Sequence, residues 1–225
     1  MFREGIWELL VSSFGKIVTA GLTMTVPLTL LSFSIGLVIA VITALIRYAR
    51  VPVLDAVARF YIWVIRGTPL LVQLFVVFYG LPKTGITIEA FPAAVAVFAI
   101  NEGAYCAETM RAALEAVPVG QIEAGYCVGM NYLQIMWRIV LPQALRTAFP
   151  PLSNSLIGLV KDTSLASNIT IAEMLVTTQR IVARTYEPLI LYLEVGLVYL
   201  IICTVLTWLQ RKGEKKLNTF TEARH

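Results

Sequence analysis

Five long apolar segments determine what this chain can fold into. They cover residues 22–46, 53–79, 88–110, 143–168 and 188–209. Each is long enough to cross a bilayer as a helix, because about 20 helical residues span the hydrocarbon layer. Charged residues make up 14% of the 225 residues and the mean hydropathy is +0.77, whereas a soluble domain has about 25% charged residues. The sequence therefore predicts an all-α integral membrane protein with five transmembrane helices and a single domain, residues 1–225.

The segments between the spans predict the topology. Residues 1–16 mix charged and apolar side chains, which predicts a short interfacial helix before the first span. Eleven basic residues lie on one side of the five-span bundle (Arg47, Arg50, Arg59, Arg111, Arg138, Arg146, Arg211, Lys212, Lys215, Lys216 and Arg224) and five on the other (Arg3, Lys16, Lys83, Arg180 and Arg184). The more basic side is expected to be cytoplasmic. We therefore expect the N-terminus outside, and the C-terminus and the loop at residues 111–142 inside. The modest net charge of +4 fits this bias better than it fits nucleic-acid binding.

The loop at residues 111–142 is unlike a simple connector. It contains, in order, Glu123, Ala124, Gly125, Gly129, Ile139, Leu141 and Pro142. Small, aromatic and aliphatic residues at helical spacing lie around these positions. A partly apolar helical loop on a membrane protein is typical of a contact surface. A loop that lies flat on the bilayer surface would show the same amphipathic pattern.

Ionisable residues occur within three of the predicted spans, at Arg66, at Glu102 and at the pair Lys161-Asp162. A charge near the bilayer centre costs about 3 kcal/mol or more, so such side chains face a protein interior or water. We expect these residues to share one cavity. A structural ion pair between Arg66 and Glu102 would account for two of them equally well.

The second span also contains a sequence that disturbs helices, Gly67-Thr68-Pro69. Proline lacks a backbone donor and glycine tolerates unusual dihedral angles. A helix broken at the midplane can offer backbone groups to a substrate, although a packing kink would leave the same pattern.

In the third span, Asn101, Tyr105 and Glu108 fall on one helical face. Asn101 and Asp162 could hold the two charged ends of an amino acid, with Thr68 and Thr163 as additional hydroxyl donors.

Other chemistries have few residues to work with. Cys106, Cys127 and Cys203 are scattered, and His225 is the only histidine, so a metal site or a Cys–His pair is not expected. The sequence contains no Gly-x-x-x-x-Gly-Lys-Ser/Thr segment, so the chain is not expected to hydrolyse ATP. A channel or an ion-coupled carrier that uses Glu102 and Asp162 as ion sites stays an alternative. An intramembrane enzyme is a third.

From about residue 16 to residue 217 the chain resembles binding-protein-dependent ABC import permeases of the polar amino acid branch. The loop motif matches that family, with Gly125 in place of its second alanine. Further matching segments lie at residues 66–70, 73–75, 79–82, 120–121, 141–144, 150–154 and 161–165. Residues 58–61, 107–113, 152–154 and 184–187 are most similar to L-cystine permeases.

The resemblance implies a type I ABC importer permease fold in a bacterial inner membrane, with the permease subunits paired as a homodimer or a heterodimer. It implies an extracytoplasmic amino-acid-binding protein and a separate ABC ATPase, which would bind ATP and Mg²⁺, and no cofactor in this chain. The residues implied in ATPase coupling are Glu123, Ala124, Gly129, Ile139, Leu141 and Pro142. Those implied in a site for L-cystine or another polar amino acid are Arg66, Thr68, Asn101, Glu102, Lys161, Asp162 and Thr163. The acidic Glu102, unusual for this branch, leaves a cationic amino acid open.

Overall fold

The computed structural model describes residues 4–222, and these residues form helices and turns without a β-strand. The helices are α1 (Glu4–Ala20), α2 (Val26–Ala49), α3 (Pro52–Arg66), α4 (Leu70–Phe75), α5 (Ala90–Glu115), α6 (Val119–Cys127), α7 (Tyr132–Ile135), α8 (Leu141–Asp162), α9 (Met174–Thr185) and α10 (Pro188–Glu222). Short π-helical turns follow α1, α4 and α7, and 3₁₀ turns lie at Leu81–Thr84 and Thr163–Ile169. The prediction of an all-α protein is confirmed.

The N-terminal segment forms the helix α1, which leads directly into the first predicted span, and its position at the membrane interface stays a prediction. A π-helical turn at Gly21–Thr25 joins α1 to α2, and the apolar helix runs from Gly5 to Ala49. Ile17 of α1 is fully buried in a cluster with Met174 of α9 and Val198 of α10. A Cβ atom at Gly21 would come within 2.8 Å of the Met174 Sδ atom. This packing holds α1 against the protein and extends the helix beyond the predicted span.

Three helices among the described residues are long and apolar enough to cross a membrane: Gly5–Ala49, Ala90–Glu115 and Pro188–Leu217. A fourth span results if the broken pair Pro52–Arg66 and Leu70–Thr84 counts as one. The fourth predicted segment, residues 143–168, forms α8, a helix of 22 residues, and the turn that follows it. Because α8 contains polar residues such as Arg146 and Lys161, it is not among the helices that length and composition alone identify as candidate spans.

The chain forms two compact units. Unit 1 comprises the residues up to 34, residues 68–99 and residues 156–207, and unit 2 comprises residues 35–67, residues 100–155 and the residues from 208 onward. Leu28, Leu74, Phe98 and Leu159 lie at the centre of the core of unit 1. The core of unit 2 consists mainly of residues from α5, the loop and α8, among them Leu114, Ile135, Val140 and Ala148.

Each of the two units contains the described basic residues of one side of the predicted topology. Arg3, Arg224 and His225 lie outside the described residues. Of the described residues on the more basic side, all ten (eleven less Arg224) belong to unit 2. Of those on the opposite side, all four (five less Arg3) belong to unit 1. Packing contacts and charge counts are independent observations, and they assign these residues to the same two groups.

The helix α9 lies in the segment 169–187, between the fourth and fifth apolar segments of the sequence. Glu173 caps its N-terminus, because the Glu173 Oε1 atom accepts a hydrogen bond of 2.9 Å from the Val176 N–H. Met174 and Thr178 are buried on one face, while Arg180 and Arg184 are exposed on the other. The helix is amphipathic and only 12 residues long. It therefore lacks the long apolar segment that predicts a helix in the other parts of the sequence.

Candidate functional site

The chain breaks between α3 and α4 at Gly67, Thr68 and Pro69, as the sequence predicts. The Gly67 N–H donates to the Trp63 carbonyl at 3.0 Å, and a Cβ atom at Gly67 would lie only 2.8 Å from that oxygen. Pro69 has extended backbone angles, φ −64° and ψ 136°, and precedes the first turn of α4. Glycine therefore permits the tight end of α3, and proline starts the next helix.

Gln73 satisfies polar groups at this break. Its Nε2 atom donates to the Thr68 carbonyl oxygen at 3.2 Å and to the Thr68 hydroxyl at 2.9 Å. A carbonyl group outside a helix needs a donor from within the protein when the surroundings are apolar. In the sequence, Gln73 is notable only as part of the segment 73–75, which resembles the import permeases. The signal that could have identified it is a glutamine one turn after a helix-breaking proline.

The polar residues of unit 2 lie mainly on α3 and α5. The Arg66 guanidinium carbon lies 5.0 Å from the centre of the Tyr105 ring, in a cation–π contact. Asn101 and Glu102 are both buried, and the Cys106 thiol lies 3.7 Å from the Glu102 Oε2 atom. The structure thus places Arg66, Asn101 and Glu102 in one unit and gives Arg66 an aromatic partner.

Glu108, on the same helical face as Asn101 and Tyr105, belongs to an ion-pair network. It pairs with Arg47 at the end of α2 and, at 3.1 Å, with Arg111. Arg47 also bonds to Asp55 of α3 at 3.3 Å. The predicted polar stripe on α5 therefore divides into a buried part at Asn101 and an ion-pair network at Glu108, which joins the ends of α2, α3 and α5.

The predicted site residues of unit 1 lie at the break and at the end of α8. Thr68 is part of the break, and Lys161 and Asp162 are in the last turn of α8. Lys161 is exposed and Asp162 is half-buried. Thr163 is fully buried and its hydroxyl donates to the Val160 carbonyl at 2.7 Å. In this conformation the Thr163 side chain points into the protein, and Lys161 and Asp162 are the accessible polar groups of this segment.

The loop motif forms a compact helical hairpin in unit 2. Glu123 and Ala124 are exposed on α6, and Gly125 is buried. A Cβ atom at Gly125 would lie 2.8 Å from the Ile135 Cγ1 atom and 3.1 Å from the Ile139 Cδ1 atom. The glycine that departs from the family pattern thus has a packing reason, because a larger residue would force α6 away from Ile135.

Gly129 has a different role from Gly125, since it ends α6 in a left-handed conformation with φ +79°. The Met130 N–H donates to the Gly125 carbonyl at 3.1 Å, and the Gly129 N–H donates to the Tyr126 carbonyl at 3.0 Å. These two hydrogen bonds form a Schellman motif, which favours glycine at this position. Among the described residues, a Cβ atom at Gly129 would meet no neighbouring atom within 4 Å.

The start of α7 is fixed by a capping box. The Gln134 N–H donates to the Asn131 Oδ1 atom at 2.9 Å, and the Asn131 N–H donates to the Gln134 Oε1 atom at 2.9 Å. Both ends of the turn between α6 and α7 therefore have their own hydrogen bonds. The hairpin keeps its shape through local interactions.

The hairpin exposes an apolar surface that we call the loop face. The loop face consists of Tyr126, Val128, Tyr132 and Leu133, each more than half exposed. Of the later motif residues, Ile139 and Leu141 are half-buried against the core of unit 2, and Pro142 is exposed. Gly125, Gly129, Ile139 and Leu141 of the motif thus shape the loop, while residues between the fixed positions form an exposed apolar surface that was not predicted from the sequence.

Comparisons with known proteins agree with these features. Residues 35–219 match the family described as "Binding-protein-dependent transport system inner membrane component". The chain is similar to the L-cystine transport system permease protein TcyB of Bacillus subtilis (strain 168), with 46% identity over 215 residues, which cover 95% of this chain and 92% of the relative.

Two solved structures are also similar to the chain. One is the crystal structure of an amino acid ABC transporter with histidines, with a TM-score of 0.83 and 34% identity, covering 94% of this chain and 95% of that one. The other is an inward-facing conformation of the MetNI methionine ABC transporter, with a TM-score of 0.71, 20% identity and coverage of 96% and 99%. The second similarity shows the fold alone.

We expect Gln73→Leu to destabilise the protein because it removes both hydrogen bonds to Thr68 at similar side-chain size. The free energy of unfolding should fall by about 1–2 kcal/mol, and the Tm of the protein purified in detergent should fall with it. Gln179→Leu, at an exposed position of α9, is the matched control. Equal Tm values for the two variants would show that Gln73 does not stabilise the break.

Proposed function

Because the chain belongs to the family of binding-protein-dependent transport system inner membrane components, we propose that it is the membrane subunit of an ATP-driven importer of L-cystine or another polar amino acid. The observation that carries this proposal is the α6–α7 hairpin, which keeps the family motif and exposes an apolar loop face. Similarity over nearly the whole length to an L-cystine permease favours that substrate.

The proposed partners follow from the same surface and from the family. An ABC ATPase docks on the loop face, binds ATP and Mg²⁺, and hydrolyses the ATP, so this chain acts as a transport subunit. An extracytoplasmic binding protein delivers the amino acid. The permease pairs with a second copy or with a similar permease in a bacterial cytoplasmic membrane. Association through an exposed apolar surface buries Tyr126 and Leu133 away from water, which is favourable.

The proposed orientation places the loop face and the C-terminus in the cytoplasm and the N-terminus outside. The ten described basic residues of unit 2 support it, because cytoplasmic segments of membrane proteins carry an excess of lysine and arginine. The loop belongs to the same unit as these residues. An ATPase in the cytoplasm would therefore meet the loop face.

For the substrate path we propose two polar groups that the amino acid meets, the carboxylate of Asp162 in unit 1 and the amide of Asn101 in unit 2. Thr68 contributes polar groups at the helix break, and Arg66, Glu102 and Lys161 set the local charge. Thr163 acts through its position after Asp162, because its side chain is buried. The broken helix supports this assignment, since transporters commonly place discontinuous helices at their substrate sites.

The first prediction from the proposed function concerns Gly129. Gly129→Asp should abolish uptake while membrane insertion stays intact, because the new side chain would occupy the space into which the ATPase docks. Gly129→Asn should fail similarly, since Asn and Asp both tolerate the left-handed conformation. Gly85 has φ +88° and an equally open environment but lies in unit 1, so Gly85→Asp is the matched control and should retain uptake. Normal uptake by Gly129→Asp would rule out the docking assignment.

The second prediction concerns orientation and uses Cys127, an exposed thiol on the hairpin. A membrane-impermeant thiol reagent should fail to label Cys127 in intact cells and should label it in inverted vesicles. The Cys127→Ser variant identifies the signal that belongs to this residue. Labelling of Cys127 from outside intact cells would mean that the proposed orientation is wrong.

The third prediction concerns the substrate path. Asp162→Asn and Asn101→Ala should each weaken uptake roughly ten- to a hundredfold, because a hydrogen bond to a charged group contributes about 1.5–3 kcal/mol. The complex should still assemble and its ATPase should still turn over. Wild-type uptake in both variants would leave these residues with a structural role only.

Glu102→Gln tests the identity of the substrate in the same assay. If the importer carries L-cystine, the change should be mild. A cationic amino acid should lose far more, because it loses the partner of its side-chain charge. Glu89→Gln removes an exposed carboxylate and is the control for the loss of one negative charge.

A further inference from the structure

Glu173 is a fully buried carboxylate at the N-terminus of α9. Its Oε1 atom accepts the Val176 N–H at 2.9 Å, and its Oε2 atom accepts the Tyr199 hydroxyl of α10 at 2.9 Å. Burial raises the pKa of the Glu173 carboxyl, and the hydrogen bonds from the backbone and from Tyr199 lower it in part. Both carboxylate oxygens thus have a donor, which a buried polar group needs.

The Glu173–Tyr199 pair lies next to the end of α8. The Tyr199 hydroxyl is also adjacent to the side chain of Thr163. Thr163 is the buried first residue of the 3₁₀ turn Thr163–Ile169, and it directly follows Asp162. The pair therefore connects the segment that carries Asp162 to α9 and α10, all within unit 1.

The other end of the same 3₁₀ turn has its own attachment. The Tyr79 hydroxyl donates to the Asn168 carbonyl at 2.9 Å. Ala166 and Ile169 of the turn are fully buried in the core of unit 1. The turn is thus fixed at both ends, and the contact with Tyr199 is the one closest to Asp162.

The first residue of α9 is held as firmly. Met174 is fully buried, and its Sδ atom occupies the space in which a Cβ atom at Gly21 would lie, at 2.8 Å. The N-terminus of α9 therefore cannot move easily with respect to α1. Glu173, adjacent to Met174, is therefore held in place, and its hydrogen bond can fix the orientation of the Tyr199 side chain.

We propose that Glu173 and Tyr199 are positioning residues for substrate binding, which hold the start of the 3₁₀ turn so that the Asp162 carboxylate faces the substrate path. The proposal rests on the proposed role of Asp162 in substrate binding. In this proposal, Thr163 is part of the supporting hydrogen-bond network and does not contact the amino acid directly. Neither Glu173 nor Tyr199 contacts the substrate in this mechanism.

Tyr199→Phe tests the proposal in the complete importer, reconstituted in proteoliposomes with its ATPase and its binding protein. The variant removes a single hydroxyl from the network. We expect the KM for L-cystine uptake to rise about tenfold, the size expected for one lost hydrogen bond to a charged group, with Vmax nearly unchanged. Tyr192→Phe, at an exposed position of the same helix, is the matched control and should leave KM unchanged.

Thermal stability separates a positioning role from a purely structural one. If Tyr199→Phe lowers the Tm and the amount of assembled complex but leaves KM per complex unchanged, the positioning role is wrong. Glu173→Gln keeps a carbonyl for the Val176 N–H and places an amide opposite Tyr199. It should therefore raise KM less than Tyr199→Phe does, and it provides the measurement if Tyr199→Phe fails to assemble.

A double-mutant cycle with Asp162→Asn distinguishes the failure of this proposal from the failure of the substrate path. If Tyr199 acts through Asp162, adding Tyr199→Phe to Asp162→Asn should raise KM no further. Independent, multiplying effects would overturn the positioning role and leave the substrate path intact. Wild-type KM in Asp162→Asn would overturn both.

Discussion

Polar backbone groups in apolar surroundings need partners from the chain itself, and the irregular parts of this structure depend on that constraint. Gln73 donates to the carbonyl of Thr68 beside Pro69, and Gln143 donates to the Ile139 carbonyl at 3.0 Å beside Pro142. Gln210 reaches the Pro150 carbonyl at 3.5 Å. Each of these glutamines donates to a backbone carbonyl in the neighbourhood of a proline. At the break between α3 and α4, the Gln73 side chain supplies the Thr68 carbonyl with a donor, so a break at a proposed substrate path need not weaken the fold.

The same constraint sorts the ionisable residues into two kinds. Arg47 and Arg111 both pair with Glu108 near the ends of their helices, where partial exposure keeps the cost of each charge low. Glu102 and Glu173 are buried and accept hydrogen bonds from Cys106 and Tyr199. Buried carboxylates gain little for stability over apolar residues, because removing a charge from water costs several kcal/mol. A role in function or in orientation would account for their presence. Glu102 is proposed to set the local charge of the substrate path, and Glu173 is proposed to be a positioning residue.

The sequence predicts what short-range signals determine. Long apolar segments predict helices, and Gly67 and Pro69 predict the break, because both effects act on the residues where they occur. Contacts between distant residues leave no such signal. Tyr199 and Glu173 are 26 positions apart, and Tyr79 and Asn168 are 89 apart, so neither pair follows from spacing. The packing of α1 is a further example. The contact of Ile17 with Met174 joins residues far apart in the sequence, so the local sequence does not contain it.

The α6–α7 hairpin shows how local and long-range packing combine. Local hydrogen bonds at Gly129 and Asn131 give the hairpin its shape, and the close approach of Gly125 to Ile135 joins it to the core of unit 2. That core includes Leu114 near the end of α5, and α5 is a continuous helix that also carries Asn101 within the same unit. At 1.5 Å per residue, the 13 positions from Asn101 to Leu114 correspond to roughly 20 Å of helix. On the proposed function, a displacement of the hairpin by the ATPase would reach Asn101 as a movement of one rigid helix.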